Sequence, residues 1–265
     1  MKSLNPLSRC PSPRTAQSGF SLVELMVAVT IGLFITLGLS QIFINMYSTS
    51  QSQSSLSQYQ ENQRLALVML MNTVELTGYT AGIPTSLTPA VTALPAVTNA
   101  DTSTFTPGAG IVGTGAGTGT GSTSDTLNVY FQSAGSNLDQ IINCQGGSAS
   151  ASTTTTFINS FSINANNQLV CTVTTNGGAP SSALVLANNV TSMSIMYGVD
   201  TTNSKTTNAY LTAADVTTGA MWMNIRTVQV TLNFCTANVL NPAAAYTSTC
   251  PTTPWVQTIN LMSKT

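Results

Sequence analysis

The sequence contains no histidine, and only 6% of its 265 residues are charged. Without histidine the commonest general base, the commonest zinc ligand and every Ser-His or Cys-His nucleophile arrangement are missing together. Charged residues usually make up roughly 25% of a soluble domain, so solubility here rests on Ser, Thr, Asn, Gln and Gly, a surface suited to close packing between protein copies. Of the seven basic residues, Lys2, Arg9 and Arg14 precede Gly19, which leaves four against eight acidic residues from Phe20 onward, a net of −4. No basic field for nucleic acid remains. The cysteines form no C-x-x-C pair, and the gaps of 27, 64 and 15 residues that separate Cys144, Cys171, Cys235 and Cys250 lack zinc-knuckle spacing. Neither a metal nor a cofactor is implied, and an enzymatic reading has no catalytic group to start from.

What the sequence does have is one long apolar run. From Leu25 to Ile44 there are twenty residues with no charge and no proline, about the length a helix needs to cross a bilayer at roughly 1.5 Å per residue. Basic residues lie only on its N-terminal side until Arg64, so the positive-inside rule places the N-terminus in the cytoplasm and the rest of the chain outside. The run is longer than the core of an ordinary secretory signal and lacks an evident A-x-A-like site after it. Glu24 stands at its edge, where a lone carboxylate at membrane depth costs on the order of 2.5 to 3.5 kcal/mol.

Beyond Ser48 the sequence turns polar, yet Leu56, Tyr59, Leu67, Leu70, Met71 and Val74 keep a three-and-four spacing, with Glu61, Arg64, Asn72 and Glu75 mainly off that stripe. This predicts one helix from Phe20 to about Thr77, roughly 85 to 90 Å long, stopped by Gly78. A break into two helices near Ser48–Ser55 is the alternative, because serine is a weak helix former. Residues 80–124 are rich in Gly, Thr, Ser, Ala and Pro and read as a long loop region. Within it Gly108, Gly110 and Gly113 match the dinucleotide-binding spacing, but no apolar strand precedes them and no helix pattern follows, so an adaptable surface loop is the better reading. Strand signals then recur at 126–132, 156–165, 168–174, 183–187, 190–197, 225–234 and 255–261. A long helix followed by an antiparallel sheet, whose apolar face meets the stripe Leu67, Leu70, Met71 and Val74, makes an α+β fold.

The stretch Gly19-Phe20-Ser21-Leu22-Val23-Glu24 resembles the processing site of class III signal peptides in type IV prepilins. That resemblance implies a pilin fold, cleavage after Gly19 by a prepilin peptidase, methylation of Phe20 as the new N-terminus, and a role for Glu24 in assembly, where its carboxylate would pair with the terminal amine of a neighbour. Further along, Glu75-Leu-Thr-Gly78-Tyr79, Tyr197-Gly198-Val199-Asp200, Met221-Trp222 with Ile225-Arg226, and Val256-Gln-Thr-Ile259-Asn-Leu261 together resemble PilW-type minor pilins. Where relatives often carry more acids after the Tyr-Gly-Val-Asp turn, this chain has Thr201-Thr-Asn-Ser-Lys205, too few carboxylates for a calcium loop.

The expected organisation is then a basic leader at 1–19, a helix at 20–78 and a periplasmic sheet domain at 79–265. The expected place is the bacterial inner membrane, with the N-terminus cytoplasmic, and then a pilus. The implied partners are the prepilin peptidase, other minor pilins, the major pilin and the membrane before assembly, with direct nucleic-acid binding not indicated. The implied function is structural: starting or capping a pilus that supports motility, attachment or DNA uptake. A J-type pseudopilin of a type II secretion machine and a pilus-associated adhesin are the alternatives. In an exported domain four cysteines read as two disulfides, for which Cys144 with Cys171 and Cys235 with Cys250 are favoured over crossed pairings, the latter pair closing a loop between two predicted strands.

Overall fold

The computed structural model describes residues 19–81, 94–99, 104–115, 124–135, 137–151, 153–235 and 252–262. Helix α1 covers Leu22–Glu75. Its start belongs to one compact unit, residues 1–51, and its end to a second, residues 52–265. The helix passes through Ser48–Ser55 without interruption. Hydroxyl and amide groups there bond within the helix and do not compete with it: Thr49 Oγ1 donates to Asn45 O at 2.8 Å and Gln51 Nε2 to Tyr47 Oη at 3.1 Å.

In the first unit every side chain of α1 is exposed, and Leu22–Ser54 is long and apolar enough to cross a membrane. In the second unit α1 turns amphipathic. Ala66, Leu70 and Val74 are buried one turn apart, with Leu67 and Met71 packed beside them. The helix ends two residues before the expected Thr77, and Gly78, at φ 73°, carries the chain away. Its N–H donates to Tyr130 O at 3.0 Å, tying the helix end to the sheet.

The strands are β1 (Val97–Thr98), β2 (Thr104–Phe105), β3 (Ile111–Thr114), β4 (Thr126–Ser133), β5 (Thr155–Ile163), β6 (Leu169–Thr175), β7 (Leu184–Ala187), β8 (Val190–Val199), β9 (Ala209–Leu211), β10 (Ile225–Cys235) and β11 (Thr252–Asn260). A short helix α2 (Ala213–Thr218) and a 3₁₀ turn (Trp222–Asn224) lie between β9 and β10. All pairings are antiparallel. The α+β class is as expected.

The single sheet is not. The strands form a five-stranded sheet in the order β3-β4-β5-β6-β7, a four-stranded sheet in the order β11-β10-β8-β9, and the two-stranded pair β1-β2. The chain changes sheets at Asn189, whose φ of 61° turns it between β7 and β8, and Val190 N–H then bonds Asn167 O at 2.8 Å. The reading of 80–124 as loop is corrected in its described part. β1, β2 and β3 fall inside it, and Phe105, Ile111 and Val112 are buried in the core. Strands of two to four residues are too short to show a period of two, and Gly and Thr mask what period there is.

Candidate functional site

Gly19 and Phe20 precede the first turn of α1 and are exposed, Phe20 at 83%. Leu25 N–H donates to Ser21 O at 3.1 Å, which closes the first helical bond. Glu24 falls in that first turn, where its charge faces the positive end of the helix dipole. Phe20, Glu24, Leu25, Ala28 and Val29 line one shallow groove along a single face of the helix. Phe20 and Glu24 are therefore brought together on one surface, with apolar side chains around them. Farther along, Thr30 Oγ1 donates to Val27 O at 2.9 Å, Thr36 Oγ1 to Leu33 O at 2.9 Å and Ser40 Oγ to Thr36 O at 2.8 Å. These three hydroxyls are thus satisfied within the helix, an arrangement that suits a hydrocarbon surrounding.

Of the four cysteines that follow Gly19, Cys144 and Cys171 form a disulfide. It fastens the loop between β4 and β5 to the middle of β6. Asn159 on β5 supports the same loop by accepting from Cys144 N–H at 2.9 Å, and Gln145 Nε2 donates to Cys171 O at 3.0 Å. Cys235 is also disulfide-bonded. Cys250 lies outside the described residues, and so does its expected pairing with Cys235.

The scattered motifs of the second half converge. Val199 pairs with Ile225 across β8 and β10, and Asp200 N–H donates to Asn224 O at 2.9 Å. Tyr197 meets Trp222 edge to face with ring centroids 5.0 Å apart. Leu261 N–H donates to Arg226 O at 2.9 Å, so the last motif joins the same corner. Asp200 is buried there and accepts from the N–H groups of Ser204 at 3.0 Å, Lys205 at 2.6 Å and Thr202 at 3.2 Å, with the Arg226 guanidinium at 3.5 Å. Burial alone would raise the Asp200 pKa. The three N–H donors and Arg226 outweigh it and hold the carboxyl below its usual range. The ion pair was not foreseen in the sequence; the juxtaposed motifs carried its only signal.

Two glycines of the pattern at 108–113 have a packing reason here. A side chain at Gly110 would collide with the backbone of Gly78 at the end of α1, and one at Gly113 with the Tyr197 hydroxyl and Thr126 O. Both glycines let β3 sit close to its neighbours. Among the described residues no group of three or more Cys, Asp or Glu side chains is placed to hold a metal.

Residues 154–260, from the start of β5 to the end of β11, match the family model described as Type IV Pilus-assembly protein W. Residues 14–40 match the Prokaryotic N-terminal methylation motif. No curated protein matches the chain.

Proposed function

We propose that this chain, which is type IV pilin-like and most like the PilW type, is a structural minor subunit that starts or caps a pilus. It waits in the inner membrane with residues 1–19 cytoplasmic and residues 79–265 on the periplasmic side. The prepilin peptidase cuts after Gly19 and methylates Phe20. The subunit then leaves the bilayer for a bundle of like helices, joining other minor pilins and the major pilin. Motility, attachment or DNA uptake belong to the whole filament.

The observation that carries this reading is the groove shared by Phe20 and Glu24 on a helix whose apolar side chains are all exposed in the first unit. Such a surface needs lipid or other helices to cover it. Glu24 is out of place in lipid and at home against a neighbour's amine, because a buried charge is tolerable when paired.

Mass spectrometry of the mature N-terminus tests the processing step: N-methylated Phe20 is expected, and an intact Met1 or a cut beyond Tyr47 would refute it. Glu24→Ala is expected to insert and be cleaved normally yet to be depleted from sheared filaments. Wild-type incorporation of that variant would overturn the pairing role of Glu24.

A further inference from the structure

Among the described residues the four-stranded sheet ends at β11, with β10 on one side and no strand on the other. Nine consecutive pairs, from Thr227 with Asn260 to Cys235 with Thr252, hold β11 in one register with no bulge. The direction of its backbone groups follows from the bonds at the two ends. Leu261 N–H bonds Arg226 O at 2.9 Å, so every second residue back from Leu261, namely Ile259, Gln257, Trp255 and Thr253, exchanges hydrogen bonds with β10. At the far end Cys235 N–H is spent on Asn189 O at 2.8 Å, away from β11, which fixes the same alternation. The N–H and C=O groups of Val256, Thr258 and Asn260 therefore point out from the sheet. Pro254 stands in the same outward series, where its missing N–H takes no bond from β10.

The other sheet edges are short: β3 and β7 have four residues and β9 has three, against nine in β11. Edges are ordinarily guarded by charge, proline, bulges or brevity. Thr252–Asn260 carries no charged residue, and its one guard, Pro254, covers only the first half. On the solvent face of the second half Val256 is 52% exposed. The adjoining outer positions of β10, Gln229, Thr231 and Asn233, are uncharged as well.

We propose that Val256–Asn260 is a docking edge that takes an extended, uncharged strand of a neighbouring pilin-like subunit by strand addition. This rests on the assembly role above and names the contact that the sheet domain contributes to it. A charged strand would lose hydration against this edge without gaining a partner, so the fitting strand carries hydroxyl, amide or β-branched side chains, with an apolar one opposite Val256. Two copies joined β11 to β11 about a two-fold axis would form a closed pair, whereas a contact that extends a filament is heterologous. The occupant is accordingly not a second β11, and because a subunit that starts or caps a pilus is set among other pilins, it is a strand of a different pilin-like protein.

The test places the photoreactive amino acid p-benzoylphenylalanine at Val256 of the full chain in cells that assemble type IV pili. The expected product joins this chain to another pilin-like protein through an uncharged extended segment, located by peptide mapping. Thr258→Pro removes one outward N–H and no bond to β10, and should cut the cross-link yield about tenfold, the equivalent of one hydrogen bond. Thr258→Val keeps the N–H and should keep the yield. The Cys144–Cys171 disulfide, mapped in the same samples, reports that the fold is intact, and the cross-link in the chain without Thr258→Pro is read independently of that variant. Undiminished yield in folded Thr258→Pro, cross-linking only to a second copy, or no cross-link from chain present in sheared filaments would each overturn the docking edge. Absence of the chain from filaments would overturn the assembly role, and the edge with it.

Discussion

Between Leu22 and Gln51 helix α1 buries no side chain, whereas from Ala66 to Thr77 the same stretch of chain buries Ala66, Leu70, Thr73, Val74 and Thr77. Leu33 is 58% exposed and Leu70 is 0% exposed, although both sit in regular helix. Backbone bonding is the same in the two halves, so the difference lies in the side chains. The first half is apolar on all sides and has no preferred face to bury. The second confines its apolar residues to a stripe and leaves Arg64 and Asn72 in solvent. One half is completed by its surroundings, the other by its own sheets, and substitutions should separate them accordingly.

The largest effect should come from removing the Cys144–Cys171 disulfide of the sheet half. Replacing Cys144 and Cys171 together by serine reopens a 27-residue closure, which costs roughly 3.5 kcal/mol on chain-entropy grounds. Thermal unfolding of the full chain in detergent should show the sheet transition falling by about 7 to 14 °C, given about 2 to 4 °C per kcal/mol for a domain of this size. The helical signal of the first half should persist through that transition. Next in size is a matched pair of truncations. Leu70→Ala should cost about 3 kcal/mol, since a large side chain is deleted from a packed site, while Leu33→Ala should leave the sheet transition within about 0.5 kcal/mol. Equal losses from the two would erase the distinction between the halves.

That distinction was legible in the sequence because it is a matter of periodicity. The stripe through Leu67, Leu70, Met71 and Val74 announces a partner, and the unbroken run from Leu25 to Ile44 announces none within the chain. The long strands β4, β5, β6, β8 and β10 were readable by composition, as each is seven or more residues long and rich in β-branched and aromatic residues. The division into two sheets was not. A period of two says which face of a strand is buried and is silent on which strand lies beside it. The turn at Asn189 has no signature that separates a hairpin from a crossing between sheets. β1, β2, β3 and β9 are too short to show any period, and the reasons for Gly110 and Gly113 lie in contacts with Gly78 and Tyr197, far away along the chain. At the candidate site Gly19, Phe20 and Glu24 stand out in the sequence because they form one local motif, within the stretch that matches the methylation motif. The Asp200–Arg226 pair was not, because its members are 26 residues apart and only the β8–β10 register brings them together.

The two halves also differ in how they should respond to acid. Glu24 is the one charged residue of α1 between Leu22 and Gln51. The sheet half holds Asp200, whose folded-state pKa lies below the ordinary value. Its contribution to stability is complete above the unfolded value of about 3.9, and it is lost as pH falls from there through the depressed folded value. The sheet transition should therefore lose stability on acidification in that window. Asp200→Asn, already lacking the carboxylate, should show a shallower acid limb, and parallel limbs for the two proteins would mean that the three N–H donors do not favour the ionised form.

The smallest effect, and the one whose sign matters most, concerns a hydroxyl. In the first half Thr30, Thr36 and Ser40 each bond a carbonyl of their own helix. In the sheet core Tyr197 is fully buried, yet its hydroxyl has no hydrogen-bond partner among the described residues and lies where a side chain on Gly113 would be. Burial, with the negative charge of Asp125 adding to it, pushes its pKa far above the usual tyrosine value, so the group stays neutral at any working pH. A buried hydroxyl without a partner carries a desolvation cost of about 1 to 3 kcal/mol. Tyr197→Phe removes that cost while keeping the ring against Trp222, and the small void left beside Gly113 returns part of the gain. The expected change in the sheet transition is between zero and about 1 kcal/mol of added stability, measured by denaturant unfolding of the full chain. A loss of more than about 1 kcal/mol would show that the hydroxyl is bonded after all, as buried hydroxyls ordinarily are.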